Sequence, residues 1–243
     1  LDRSDLHRAD MTGAKLDRAS LVGTDLRGAR LGCTDFDLID DAKSIDALCV
    51  RAIGANFKDA KLADADLSHA VMPGAKFEKA DLAGADMRAA DLTGADFTGA
   101  DLRRARLTFL AKLIDANFLL AKMQGADLNG ARLHRAAFSS ANLTGANLSR
   151  VLAYGATFDN ANLDAVNLLA ARLVGTNLTK ASLRGADLNQ ATLWDTKATA
   201  SDKLDLADLS ALKLQAPDAK DIAAFEKLVA ETVSSQTGGS CAE

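Results

Sequence analysis

The chain is poor in the residues from which reactive sites are usually built. Its three cysteines, Cys33, Cys49 and Cys241, stand apart with no metal or redox spacing, which argues against a bound zinc or a redox pair and favours a reducing compartment. The three histidines, His7, His69 and His134, are scattered, with no second histidine, cysteine or carboxylate at ligand distance in sequence, and read as exposed surface residues. No G-x-x-x-x-G-K segment is present to cradle a phosphate. No catalytic, cofactor-binding or metal-binding set can be assembled, so an enzyme is not expected. No apolar run is long enough for a membrane-spanning helix, and no secretory signal is visible. These features together place the chain in the cytoplasm. Lysines and arginines form no concentrated stripe and the net charge is −4, so direct nucleic-acid binding is not expected.

Regularity is what the chain has in abundance. Phe36, Phe57, Phe77, Phe97, Phe118, Phe138 and Phe158 follow one another at steps of twenty or twenty-one residues. Such spacing returns the backbone to one azimuth about every twenty residues and stacks like side chains in a solenoid. The ladder is built from a unit of five. Leu, Met or Phe occupies every fifth residue from Leu6 to Phe36, from Phe57 to Leu107 and from Leu113 to Leu193, with Ala153 alone departing. Two places earlier stands a small residue, most often Ala, and between the two a polar one, as in Ala65-Asp66-Leu67 and Ala141-Asn142-Leu143.

A period of five suits neither a helix nor a strand, so the chain must turn once per unit. Glycines such as Gly13, Gly84, Gly125 and Gly185 lie two places after a central residue, where a type II turn needs positive φ. Four such corners close a square coil, with the small and large residues pointing inward. Stacking by twenty also sets Lys61, Asp81, Asp101 and Lys122 in one outer column and Asp66, Asp86, Arg106 and Asp127 in another. Mixed signs make that stacking tolerable. The acidic string Asp81, Asp86, Asp91, Asp96 and Asp101 points out of successive faces, so it does not converge on one ion.

Over residues 4 to about 195 this pattern resembles the A(D/N)LXX repeat of the pentapeptide repeat family. The resemblance implies an all-β solenoid, a right-handed quadrilateral parallel β-helix. The repeat domain is expected over 1–216, with a degenerate coil at about 37–56, where Ala42, Ala47 and Ala52 take the central places, and a bulge at about 108–110. Pro217 stops the coil, and Ile222, Phe225, Leu228, Val229 and Val233 form an apolar stripe at helical spacing. A helix over 217–234 is therefore expected to cap the last coil. Because members of the family it resembles often pair through their C-terminal ends, a homodimer contact through that helix is the second expectation, compatible with the cap. Residues 235–243 are expected to be disordered. Leu1 opens inside a repeat, as in a chain that continues from an upstream segment.

Function is expected to be non-enzymatic: a scaffold that binds another protein. The candidate contact strip is the outward column Ile114, His134, Tyr154, Val174 and Trp194, joined by Leu119 and Leu120 at the neighbouring corner and by Leu152. Some pentapeptide repeat proteins imitate duplex DNA and occupy the DNA-binding saddle of gyrase, which makes gyrase the alternative partner. That role needs a dense acidic surface, and 29 basic against 33 acidic residues in mixed columns suit it poorly.

Overall fold

The five-residue unit closes a turn. In the computed structural model, which describes residues 1–33, 49–193 and 196, the N–H of the small residue donates to the carbonyl of the large residue three places before it, as from Ala100 to Phe97 at 2.9 Å. The second residue inside every described turn has φ between 55 and 70°, the type II geometry. Glycine takes it without steric cost at many corners, but Arg18, Asp64, Lys79 and Leu120 adopt it too. The strain at those corners is outweighed by the stack around them. At Gly84 a side chain is excluded twice over, since φ is +70° and a Cβ there would run into Asp64 Oδ1 of the preceding coil.

Successive coils pair in parallel. Each central residue donates to the coil above and each outward residue to the coil below, as Phe97 N to Asn117 O at 2.7 Å and Asp96 N to Ala75 O at 2.9 Å. The pairing is confined to single-residue bridges, because each side of the square is too short to hold an extended strand before the next turn. These bridges align in four columns that define four faces. The first carries Lys61, Asp81, Asp101 and Lys122; the second Asp66, Asp86, Arg106 and Asp127. The third carries Asp91, Lys112, Arg132, Leu152 and Arg172, and the fourth Asp96, Asn117, Ala137, Thr157 and Asn177.

The interior is Ala, Leu, Met and Phe, almost all fully buried. From Phe57 to Phe158 the rings stack with centroids 4.7 to 5.0 Å apart and nearly parallel planes. Dispersion summed along this column and the removal of each ring from water are what hold the coils together. The extra residue near 108 is accommodated between Arg106 and Lys112, where the turn carries positive φ at both Phe109 and Leu110.

The expected degenerate coil over 37–56 is corrected by the bridges. Lys15 pairs with Arg51 and Ser20 with Asn56, so the coil holding residues 49–57 stacks directly on the one holding residues 13–21. Leu21, not a phenylalanine, lies beneath Phe57: its N–H donates to Asn56 O at 2.7 Å. Phe36, Trp194 and the segment 217–243 lie outside the described residues.

At the point where register passes from residue 33 to 49, Cys33 and Cys49 form an antiparallel bridge and a disulfide. Two of the three expected isolated thiols are thus joined, which removes the cysteine argument for a reducing compartment. The disulfide spans 16 residues in sequence, and a closure of that size stabilises by roughly 3 kcal/mol. Cys33→Ser is therefore expected to lower the denaturant midpoint of the N-terminal coils without reductant and to leave it unchanged with reductant present. Equal midpoints for the two proteins without reductant would contradict the pairing.

Candidate protein-binding surface

The corner between the third and fourth faces stacks Ile114, His134, Tyr154 and Val174, the column expected from the sequence. The chain links them coil by coil: Asp115 N donates to His134 O, Arg135 N to Tyr154 O and Gly155 N to Val174 O. Their exposure differs from expectation. His134 and Tyr154 are each 3% exposed, because the two rings lie flat on one another, centroids 5.1 Å apart, instead of projecting into solvent. Ile114, Val174 and Leu152 are half-buried. Of the expected strip, only Leu119 and Leu120 are well exposed among the described residues.

His134 is correspondingly not the surface histidine expected. Its Nδ1 is sealed from water without a hydrogen-bond partner. Burial first, and then the nearby charges of Arg132 and Arg135, push its pKa down to about 4, against a smaller opposing pull from Asp115. Asp115 is itself engaged by Arg135, which donates from Nε and Nη2 to its two oxygens at 2.6 Å each.

Two residues absent from the expected strip dominate the exposed apolar surface. Phe109 is 68% and Leu110 65% exposed; with Leu119 at 37% and Leu120 at 58%, they are, Leu1 aside, all the exposed large hydrophobics of the described residues. All four belong to a single coil. Phe109 and Leu110 sit between the second and third faces, Ile114 between the third and fourth, and Leu119 and Leu120 between the fourth and first. Three consecutive corners of one coil thus carry large apolar residues, where the coil before it places Arg88-Ala89, Thr93-Gly94 and Thr98-Gly99 and the coil after it Asn129-Gly130, His134-Arg135 and Ser139-Ser140. Beside Phe109 and Leu110 opens a cleft of about 540 Å³, walled by Arg106, Asp127, Asn129 and Asn147. An apolar rim over polar groups that can donate and accept hydrogen bonds is the composition of a contact anchor. The sequence signal was present as an extra residue coinciding with an apolar pair at a corner.

Elsewhere the surface charges are matched locally. Arg27, Arg88, Arg103 and Arg184 each reach a carboxylate, of Asp25, Asp86, Asp101 and Asp164, at 2.6 or 2.7 Å. The hydrogen bond from Arg27 holds Asp25 down to about 2. At Asp101, burial opposes ionisation, but the hydrogen bonds from Arg103 prevail and lower its pKa. Among the described residues no His, Cys, Asp and Glu side chains gather in threes as they do round a metal ion, and no helix is long and apolar enough to cross a membrane.

The sequence profile of the pentapeptide repeats matches residues 2–40, 53–88, 74–108, 111–136, 131–168 and 156–195. The chain belongs to the pentapeptide repeat family. Among solved pentapeptide repeat structures it is similar to HetL, a protein involved in heterocyst differentiation regulation from the cyanobacterium Nostoc sp. strain PCC 7120. The two share 30% identity over 86% of this chain and 89% of HetL, with a TM-score of 0.56. QnrB1, a plasmid-mediated fluoroquinolone resistance protein, shares 18% identity over 82% of this chain and 89% of its own, with a TM-score of 0.36. A pentapeptide repeat protein of the Arabidopsis thaliana thylakoid lumen shares 33% identity over 41% of this chain and 65% of its own, with a TM-score of 0.24. No curated protein sequence matches significantly. The matched family is one of structural repeats and not a catalytic one.

Proposed function

We propose that this pentapeptide repeat chain is a non-enzymatic scaffold, wound with the right hand of its family, and that it binds a protein partner through the coil of residues 107–122. The observation that carries this reading is that, among the described residues and Leu1 aside, the exposed large hydrophobics Phe109, Leu110, Leu119 and Leu120 all lie on that one coil. Scattered exposed apolar residues would need no explanation; a ring of them at successive corners does. Ile114 lies between the two exposed pairs, so a partner that embraces the third and fourth faces meets all three corners. Leu152 and Val174 extend the contact along the rod, and Tyr154 supports it from beneath as half of a buried ring stack.

The DNA-mimic reading finds less support. Its acidic columns are interrupted by Lys61, Arg106 and Lys122, and several of its carboxylates are clasped by arginine.

Leu120→Ser combined with Phe109→Ser tests the scaffold reading. Both side chains are exposed, so the fold is expected to keep its denaturant midpoint. Affinity for the partner recovered with the unaltered protein is expected to fall about thirtyfold or more, the loss of 2 kcal/mol or more typical of a hot spot. Unchanged affinity for that partner would remove the coil as the contact surface.

A further inference from the structure

Along much of the rod a cation on one coil meets a carboxylate on the next. Arg106 lies between Asp86 below and Asp127 above and reaches Asp86 at 3.6 Å; Lys112 reaches Asp91 below it at 3.1 Å. Above Lys112 the matching stops. The third column continues with Arg132 and then Leu152, so Arg132 has a cation below and an apolar residue above, and it makes no ion pair among the described residues. Arg150 is left in the same way. In the second column Asp86 clasps Arg88 at its corner at 2.6 Å, but three coils later the same column holds the uncharged Asn147, and Arg150 at the corner beside it makes no ion pair among the described residues.

The unmatched charge is concentrated. Between residues 107 and 156 the chain has five cations, and four of them, Lys112, Arg132, Arg135 and Arg150, lie on the third face or its corners. The one carboxylate among them, Asp115, is already held by Arg135 at 2.6 Å. Like charges on neighbouring coils cost stability, and Arg132 over Lys112 is such a pair with only the lysine neutralised. In a chain of net charge −4 this is a local exception.

The basic patch adjoins the apolar coil. Phe109 and Leu110 precede Lys112 by one corner; Arg132 stands one coil, ~5 Å, beyond Lys112, and Arg150 two coils, ~10 Å, beyond Leu110. An extended peptide advances ~3.3 Å per residue. A side chain seated on Leu110 and another two or three residues later would therefore come level with the apolar corner and the arginines in turn. Cations bordered by exposed apolar groups complement a segment that carries both carboxylates and apolar side chains. Nucleic acid fits less well, since a single strand stacks its bases on a series of aromatic faces and, of the Phe and Tyr rings described, only Phe109 is exposed.

We propose that the partner docks through an acidic segment that also carries apolar side chains, which seat on the corner of Phe109 and Leu110 while carboxylates two or three residues along pair with Arg132 and Arg150. The proposal rests on the scaffold reading and specifies the chemistry of the partner.

Random peptides of about twelve residues, displayed on phage and selected on the full chain, test it. Enriched peptides are expected to place Asp or Glu at two or more positions within about four residues of a Leu, Ile, Phe or Trp. For one such peptide made synthetically, Arg132→Glu with Arg150→Glu is expected to weaken binding about tenfold or more at an unchanged denaturant midpoint. The same peptide with its carboxylates exchanged for lysine should bind the doubly substituted chain instead. Raising salt from about 0.05 to about 0.5 M should weaken the original complex, and Phe109→Ser should weaken it as well. Peptides without the acidic bias, or indifferent to both arginines, would overturn the proposal, and if they still depended on Phe109 the apolar coil would stand as the contact surface. Acidic peptides that need the arginines but ignore Phe109→Ser would overturn both readings. Failure to enrich any peptide, or tighter arginine-dependent binding of a DNA duplex of about 20 base pairs, would also overturn the proposal.

Discussion

Phe97→Asp is expected to unfold the middle of the rod. Phe97 is fully buried, with ring centroids of Phe77 and Phe118 4.9 Å away on either side. Truncating a buried phenylalanine costs about 3 to 5 kcal/mol, and a carboxylate left unpaired among Leu, Ala and Phe adds several more. That sum rivals the whole stability of an ordinary domain, about 5 to 15 kcal/mol. Neighbouring coils are expected to fail with it, since each coil is supported only by those above and below. Asp96 is one residue away but outward, accepting from Thr98 N at 2.9 Å and Thr98 Oγ1 at 2.6 Å. Asp96→Ser should cost about 1 kcal/mol. Denaturant titration separates the two, and losses of similar size would contradict the inward and outward assignment.

Acid is expected to weaken the fold well above the carboxylate range. His134 has a folded pKa of about 4 against an ordinary 6.5. Between those two values the unfolded chain takes up a proton that the folded chain refuses, so stability falls as pH falls through that window. The full effect is about 3 kcal/mol. The paired aspartates shift in the same direction but in a lower window: Asp25, held at about 2, gives up its contribution only as pH falls below the ordinary 3.8. A slope between pH 6.5 and 4 is therefore the signature of His134. Replacing it by phenylalanine keeps a ring against Tyr154 and removes the sealed Nδ1. His134→Phe is expected to flatten that slope and to add about 1 to 2 kcal/mol at pH 7. A wild-type midpoint that is level across the window would contradict the burial of this imidazole.

How much of this was written in the sequence varies with the kind of question. The coil itself was legible, since a period of five with a small residue two places before a large one leaves only a chain that turns at each unit. The outer columns followed from it, and Lys61, Asp81, Asp101 and Lys122 do stack as counted. The register beneath Phe57 was not legible. Phe36 stands twenty-one residues earlier, and Ala42 and Ala47 continue the count of five into Ala52, which does take a central place, so counting alone turns the interval into a coil. The one physical signal was the pair Cys33 and Cys49 bracketing the break. For the surface, periodicity assigned His134 and Tyr154 to the correct column but could not say whether their rings stand up or lie down. Two flat rings on successive coils cover each other, and that gain appears only in three dimensions. Phe109 and Leu110 were read as an irregularity because the extra residue drew attention to backbone register instead of to what the corner displays.

A rod of this kind offers a partner a surface whose spacing is fixed by backbone pairing rather than by loops. Position along the axis is set by coil number and azimuth by place within the five-residue unit. The apolar coil is therefore held rigidly by the coils on either side, which lowers the ordering cost of any contact it makes.

The central claim is that position along the rod advances by one coil for every twenty residues, passing directly from residue 33 to 49. Paired spin labels on the fourth face measure this, in a Cys241→Ser background that keeps the disulfide. Asp96 and Asn177 are four coils apart and should give about 19 Å between backbone sites, while Ser20 and Asn177 are seven apart and should give about 34 Å. A Ser20 to Asn177 separation longer by one further coil would restore the degenerate coil, and separations that do not grow with coil number would contradict the solenoid.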